Sequence, residues 1–372
     1  MTDLFEVETT TTTSLDLRRV QRLQRRATRR KWALVFIAVG LVLTALGGSV
    51  VYNFLTTTFA SNSNEIADYE GLGQGTVQVV IEPGDTGAVI ATTLYAQGVV
   101  ASQQAFIDAA KANPDSSGIK PGFYFMQREM KAEYALLALL DPNNRDLRKI
   151  TVPEGKAVDY YFDKIASLTG ATLDEVTAAA EDTDALGLPA EANGSLEGWL
   201  FPSTYQFNPG VTPSDVMREM IATTIKTLDD AGVAAADRER ILTVASLIEK
   251  EAKLDVDRPL IAGVIYNRLA ADMVLQLDAT VKYIAPSDGP FVSADDKEVD
   301  SPYNTYKYTG LPPGPIAGPG AKSIDAAVNP ASHGYFFYVT VDFNTGETLY
   351  ATTYDEHLKN VQVLSQWIKD NG

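Results

Sequence analysis

The chain has 372 residues, 45% of them hydrophobic and 21% charged, an ordinary globular composition that excludes disorder as the default reading. It has no cysteine and only two histidines, His333 and His357, so disulfides, thiol nucleophiles and imidazole-rich metal sites are excluded together. The formal net charge of −17 is uneven: residues 1–31 carry eight basic and four acidic side chains (+4), which leaves −21 for the rest and argues against nucleic-acid binding.

The basic tail, residues 1–31, runs from a threonine-rich start through Arg18, Arg19, Arg22, Arg25, Arg26, Arg29, Arg30 and Lys31. Directly after it, "WALVFIAVGLVLTALGGSVVYNFL" (32–55) carries no charged residue. At about 1.5 Å per residue that length crosses a hydrocarbon core of roughly 30 Å, and it is longer than the apolar run of a cleaved leader. The preceding positive charge predicts a single span with the N-terminus cytoplasmic and everything after Leu55 outside the membrane. Residues 56–75, rich in Ser, Thr, Asn and Gly, read as a polar stalk.

Residues 76–150 form the next expected unit. "TVQVVIEPGDT" alternates as a strand and ends in a turn signal. "GAVIATTLYAQGVV" has helical spacing, and "SQQAFIDAAKA" opens on Ser102 as a helix cap. "GFYFMQ" returns to strand character, giving a small βααβ arrangement with "LLALLDPNNRD" near its end, and "RKITVPEG" reads as a strand at the junction.

Residues 151–372 read as a mixed α+β domain. "AVDYYFDKIASL", "SDVMREMIATTIKTL", "RERILTVASLIEKEA", "DRPLIAGVIYNRLA" and "YDEHLKNVQVLSQWIKD" have helical periodicity. "GYFFYVTVDF" and "GETLYATT" predict a hairpin around Asn344–Gly346. "SPYNTYKYTGLPPGPIAGPG" (301–320) is too rich in Pro and Gly for regular structure and reads as a long ordered loop, a common place to handle ligands.

"TVASLIEKEAKLDVDR" (243–258) turns from an apolar run into alternating charge, with Glu249 and Glu251 at the turning point. On a helical wheel Glu251 falls about 60° from the centre of the apolar arc, and Glu249 about 100° away on the other side. The two carboxylates point roughly 160° apart and do not serve one site as a pair. The wheel favours Glu251 as the carboxyl held against apolar walls, where burial raises its pKa towards that of a general acid. The plainer alternative is a helix end entering solvent, with Lys250 and Lys253 as loose ion-pair partners.

Five segments in one order bear on that choice: "LEGWLFPSTY", "ASLIEKEA", "VIYNRL", "LQLDATVKY" and the 301–320 loop. Together they resemble the signature blocks of the YceG-like endolytic murein transglycosylases. "VIEPGDT", "GVVASQQAF" and "IKPGFYFM" are similar to that family's small LysM-like subdomain, and "ITVPEG" to its junction with the catalytic domain. The resemblance implies a single N-terminal transmembrane helix, a LysM-like βααβ subdomain and a mixed α+β catalytic domain. It places the catalytic acid on Glu251, the second acid of the motif. It implies cleavage of the β-1,4 bond between N-acetylmuramic acid and N-acetylglucosamine in nascent peptidoglycan strands, with no metal or cofactor. Peptidoglycan synthases of elongation or division are the implied protein partners.

Candidate sugar contacts are Gln276, Asp278 and Thr280, then Tyr303, Asn304 and Tyr306. Asp278 has the alternative of capping a helix, and the tyrosines that of packing the loop. Glu197 is either a second acid or a structural hydrogen-bond acceptor, and His357 reads as a packing histidine. The sequence departs from the family pattern at Ala252 (usually Thr), Leu277 (Ser or Thr), Ala279 (Pro) and Thr348 (often His). Two rival readings stay open: a non-catalytic wall-binding scaffold, and a hydrolase using Glu251 with Asp278 or Glu197.

Overall fold

In β1 (Gln74–Ile81), Val77, Val79 and Ile81 point inward while Gln78 stays exposed, the period-two pattern of a half-buried strand. It pairs antiparallel with β2 (Gly122–Arg128), which sets Val79 opposite Tyr124 and Val77 opposite Met126. Between the strands lie α1 (Gly87–Ala96), capped by Thr86, and α2 (Gln103–Ala112), whose Ser102 hydroxyl accepts from the Ala105 N–H at 3.2 Å. The leucine-rich stretch after β2 forms a further helix, α3 (Ala132–Leu140), which buries Ala135, Leu136 and Leu139. These elements share one hydrophobic core, centred on Val79, Leu94, Phe106, Tyr124 and Leu136. The computed structural model describes residues 67–285 and 292–371. The basic tail, the expected span 32–55 and the stalk as far as residue 66 lie outside them. Among the described residues no helix is long and apolar enough to cross a membrane.

β3 (Arg148–Thr151) straddles the junction anticipated after residue 150 and pairs antiparallel with β4 (Thr204–Phe207), with Ile150 opposite Tyr205. The chain between them forms α4 (Val158–Thr169), α5 (Leu173–Ala180) and the short α6 (Thr183–Leu186), and α7 (Pro213–Asp230) follows β4. α5 and α7 each start with a capping box, Thr172 with Glu175 and Thr212 with Asp215. The inward faces of α4, α5 and α7 make a second core around Tyr161, Ile165, Val176, Val216, Met217 and Met220.

The third core surrounds α8 (Arg238–Glu251). Every residue from Ile241 to Ile248 is buried, so this helix is enclosed on all sides rather than amphipathic. Its buried hydroxyls are satisfied within the helix: Thr243 donates to the Glu239 carbonyl and Ser246 to that of Thr243, each at 2.8 Å. α9 (Arg258–Ala270), α10 (Asp278–Ile284) and α11 (Ala321–Val328) surround it. The hairpin β5 (Phe337–Thr340) and β6 (Thr348–Ala351) and the terminal α12 (Tyr354–Asn371) complete the α+β architecture. The described residues hold three two-stranded antiparallel sheets.

The Pro/Gly loop is ordered and, from Gly314 to Gly320, wholly buried. Irregular backbone in such a place needs partners for its polar groups. The Ile316 N–H donates to Ser246 Oγ at 3.1 Å, the Gly318 N–H to the Lys156 carbonyl at 2.9 Å and the Gly320 N–H to Glu249 Oε2 at 3.1 Å. Gly198, at φ +79°, leaves room for Pro315: a Cβ there would lie 2.5 Å from the proline ring. The loop is thus threaded against α8 by complementary glycines and hydroxyls.

Candidate active site

The two glutamates at the end of α8 have separate surroundings. Glu249 Oε2 accepts from Arg258 Nη1 at 3.0 Å, Ser323 Oγ at 2.8 Å and the Gly320 N–H at 3.1 Å, and the Glu249–Arg258 pair has side chains only 7% and 9% exposed. It is a structural anchor for the loop and α11. Neither lysine pairs with these acids: Lys250 Nζ donates to the Gly155 carbonyl at 3.2 Å, and Lys253 Nζ to the carbonyls of Phe343 and Asn344.

Glu251 is the last residue of α8, where the helix dipole disfavours an added negative charge. It is half-buried. Its Oε2 accepts from the Tyr338 hydroxyl at 2.9 Å. Burial is the largest influence on its acidity and pushes the pKa up, and the Asp278 carboxylate pushes the same way. The hydrogen bond from Tyr338, the nearby Ala279 N–H and the Lys250 charge pull it down, and the upward push wins.

Asp278 opens α10. The residue before it, Leu277, holds the cap position with no side-chain cap bond, so the capping alternative for Asp278 does not occur. Its carboxylate accepts a short hydrogen bond from the Tyr306 hydroxyl, and Lys297 lies over the Tyr306 ring 4.5 Å from its centroid. Burial, followed by the Asp278 carboxylate, raises the Tyr306 pKa and keeps that hydroxyl a neutral donor. Gln276 is exposed and takes φ +51°, a left-handed backbone unusual for a residue with a side chain. Its N–H donates to the Thr305 carbonyl at 2.9 Å, which fixes that conformation.

Thr280 and Asn304 are fully buried: Thr280 holds the loop to α10, and Asn304 fastens the loop to itself. Thr280 Oγ1 donates to the Leu277 carbonyl at 2.7 Å and shares a 2.9 Å bond with Thr305 Oγ1. Asn304 Nδ2 donates to the carbonyls of Lys297 and Val299, and its Oδ1 accepts the Tyr306 N–H at 3.0 Å. Tyr303 is half-buried with its ring 5.2 Å from that of Tyr283. The Tyr283 hydroxyl reaches Glu197 Oε2 at 3.3 Å, and the Val158 N–H donates to the same oxygen at 3.1 Å. Glu197 Oε1 is buried with no partner, and burial pushes this carboxyl up to about 7. The structure therefore brings Glu251, Asp278 and Tyr306 together, with Gln276 exposed two residues before Asp278. It links Glu197 to Tyr303 through Tyr283, and uses Thr280 and Asn304 inside the wall.

Two further residues complete the surroundings of Glu251. Tyr338 comes from β5, 87 positions along the chain. Arg268, buried near the end of α9, donates to the Phe336 carbonyl at 2.6 Å and the Leu275 carbonyl at 2.7 Å, bracing the segments that lead to Tyr338 and to Asp278. Beside it, Asn267 Nδ2 donates to the carbonyls of His333 at 3.0 Å and Tyr335 at 2.8 Å. An arginine inside an apolar helical pattern is the one sequence signal pointing to this brace. Thr348 pairs with Thr340, one step along the hairpin face that carries Tyr338. His357 stacks on Phe337 with ring centroids 5.3 Å apart, a packing contact. Among the described residues no group of three or more His, Asp or Glu side chains is placed to share a metal ion.

A single half-buried carboxyl with raised pKa, steadied by one tyrosine and flanked by an acid–tyrosine pair, has the make-up of a proton-transfer centre in an α+β frame. Comparison with known proteins agrees with that class. The model of the YceG-like family matches residues 79–363, and the chain belongs to that family. It is 34% identical over 303 residues to a Bacillus subtilis (strain 168) protein named endolytic murein transglycosylase, covering 76% of this chain and 83% of that one. A protein of the same name from Streptococcus pneumoniae (strain D39) is 30% identical over 362 residues, covering 88% of this chain and 64% of its own length. The crystal structure of a YceG-like protein from Listeria monocytogenes, at 30% identity, covers 77% of this chain and 99% of its own with a TM-score of 0.49.

Proposed function

We propose that this chain is an endolytic peptidoglycan lytic transglycosylase with Glu251 as its acid and base. The observation that carries the reading is Glu251 itself: a half-buried carboxyl of raised pKa at the motif position of a family whose curated members bear that name. Protonated Glu251 donates to the oxygen of the β-1,4 bond between N-acetylmuramic acid and N-acetylglucosamine, and the C1–O bond breaks. The acetamido oxygen of the muramic acid stabilises the developing positive charge at C1. Glu251, now a carboxylate, takes the proton from the C6 hydroxyl of the same sugar, and that oxygen closes on C1 to give a 1,6-anhydro end. Glycosidases that use water or a covalent intermediate need two carboxylates. Here the nucleophile is tethered to the reacting carbon, so one acid–base group suffices.

Asp278, Tyr306, Gln276 and Tyr303 are the proposed sugar contacts. Thr280 and Asn304 act by shaping the wall, and Glu197 sits behind it as a second acidic group. The 76–150 unit is read as LysM-like on sequence resemblance, and residues 32–55 as a membrane anchor with the N-terminus cytoplasmic. That anchor would hold the site near the bilayer, where nascent strands emerge and peptidoglycan synthases act.

The test is mass spectrometry of products from isolated glycan strands incubated with the full-length chain and its Glu251→Gln and Glu249→Gln variants. Anhydro-ended fragments are expected from wild type and Glu249→Gln, and none from Glu251→Gln. Reducing ends carrying solvent oxygen would instead make the protein a hydrolase, with Asp278 as the second carboxylate. Binding without shortening would make it a scaffold.

A further inference from the structure

We propose that Tyr338 is a positioning residue for the reaction, its hydroxyl holding one oxygen of Glu251 so that the other faces the substrate. The inference rests on the reading of Glu251 as the acid and base. Three observations carry it. The Tyr338 hydroxyl donates to Glu251 Oε2 at 2.9 Å, so that oxygen is held as an acceptor and the transferable proton is assigned to Oε1. The strand that presents Tyr338 is fixed from below by α9: Arg268 grips the carbonyl of Phe336, and Asn267 those of His333 and Tyr335. Arg268 also donates to the carbonyls of Val274 and Leu275, so one guanidinium sets the hairpin and the start of the Asp278 segment at once. The acid is thereby located relative to both neighbouring walls by groups that do not themselves react.

The same hydrogen bond acts on charge. When Glu251 gives up its proton, the Tyr338 O–H stabilises the carboxylate until the C6 hydroxyl returns one. Burial, the Glu251 carboxyl and the hydrogen bond to it raise the Tyr338 pKa well above the ordinary value, so the hydroxyl stays a donor throughout. The charged and titratable groups facing Glu251 are Tyr338 from β5, Asp278 from α10, Lys250 from α8, Arg268 from α9 and Tyr306 from the loop. Of these, Tyr338 is the side chain with a hydrogen bond to the carboxyl.

Loss of the donor removes a stabiliser of the charged form, so the Glu251 pKa rises further. Activity requires protonated Glu251 and fails on the basic side, so that limb moves to higher pH. Tyr338→Phe is therefore expected to lower kcat on the order of tenfold or more, to keep KM, and to move the basic limb up by about one unit. Fluorotyrosine at position 338, a stronger donor with the same packing, moves the limb down. Tyr350→Phe is the matched control: Tyr350 faces Tyr338 across the hairpin, but its hydroxyl donates to Asp257 at 2.8 Å, and its loss leaves the limb in place.

The measurement is the pH profile of anhydro-end formation by the full-length chain in detergent, alongside melting temperatures. A fall in kcat with an unmoved limb in Tyr338→Phe, and no response to fluorotyrosine, would show a merely structural tyrosine and overturn the inference. Activity retained by Glu251→Gln overturns the underlying reading first, and this inference with it.

Discussion

Two acids separated by one residue do different work because different atoms meet them. Three donors converge on Glu249 Oε2, among them a guanidinium that is itself buried, while Glu251 is met by the neutral Tyr338 hydroxyl and the Ala279 N–H, with no ion pair among the described residues. The first arrangement is a buried ion pair that fastens two segments, and the second is a carboxyl whose raised pKa suits a proton that leaves and returns. Removing one partner of a buried ion pair leaves the other charge unpaired, which typically costs about 3–5 kcal/mol. Glu249→Ala is therefore expected to destabilise the fold by about 3 kcal/mol, the low end of that range, read as a fall in the urea midpoint, because Arg258 loses its buried partner but keeps the exposed Asp255 carboxylate and Ser323. Glu251→Gln is expected to leave the midpoint within about 1 kcal/mol of wild type while abolishing activity. Equal destabilisation by both would mean that the two carboxyls share one structural role.

The helical wheel separates these residues correctly but for an incomplete reason. It assumes a helix with one wet face, whereas Ile241 to Ile248 are all buried. Glu249, which the wheel turns away from the apolar arc, is covered by Arg258 and the 318–323 segment, partners no local periodicity reveals. The same limit hides Tyr338. Its strand is legible from alternation and its hairpin from the Asn344–Gly346 turn, but its contact with Glu251 is set by α9 bracing the hairpin from another part of the chain.

At the scale of elements, the motif blocks act mainly as fasteners. "ASLIEKEA" supplies Ser246 and Glu249 to hold the buried loop, "VIYNRL" supplies Asn267 and Arg268 to hold the hairpin, and "LEGW" supplies Gly198 to admit Pro315. The long helices were legible because their apolar spacing is intrinsic to the segment. α3 escaped because its leucines precede a turn signal and read as the close of the 76–150 unit rather than a helix. β3 and β4 needed a partner 53 residues away to become a sheet. The loop offers a direct test of the fastener view. Ser246→Ala leaves the buried Ile316 N–H without an acceptor, a loss of about 1–3 kcal/mol. It also frees the segment that leads to Gly320 and the Glu249 anchor. Thermal unfolding should show the lower stability, and limited proteolysis should find new cleavage between residues 312 and 320. Wild-type resistance there would mean that packing by Pro315 and Ile316 alone holds the loop.

For the molecule as a whole, the unusual feature is a set of acids, Glu154, Glu197, Glu239 and Glu251, pushed upward by burial inside an otherwise strongly acidic body. Glu197 ties the start of α4 to Tyr283 of α10 through one oxygen, and its other oxygen is buried without a partner. Burial is the chief cause of its rise to about 7, against roughly 4.3 for a glutamate in an unfolded chain. The folded state therefore binds the proton more tightly, and stability falls as pH rises between those two values. The contribution is fully present below roughly pH 4.3 and lost above about pH 7, amounting to roughly 4 kcal/mol at most. Glu251 leans the same way, while carboxylates with lowered pKa, such as Asp215 and Asp255, act at lower pH and in the opposite sense. Comparing wild type with Glu197→Gln isolates the one group. Urea midpoints at pH 5 and pH 8 should show wild type losing stability over that interval and the variant losing distinctly less, so that the variant gains on wild type as pH rises. Parallel losses in the two proteins would mean that Glu197 is already ionised at pH 5, held as a carboxylate by Val158 and Tyr283 despite its burial. In that case the wall behind Tyr303 carries a fixed negative charge, and the decline in stability belongs to the other raised acids, Glu154, Glu239 and Glu251.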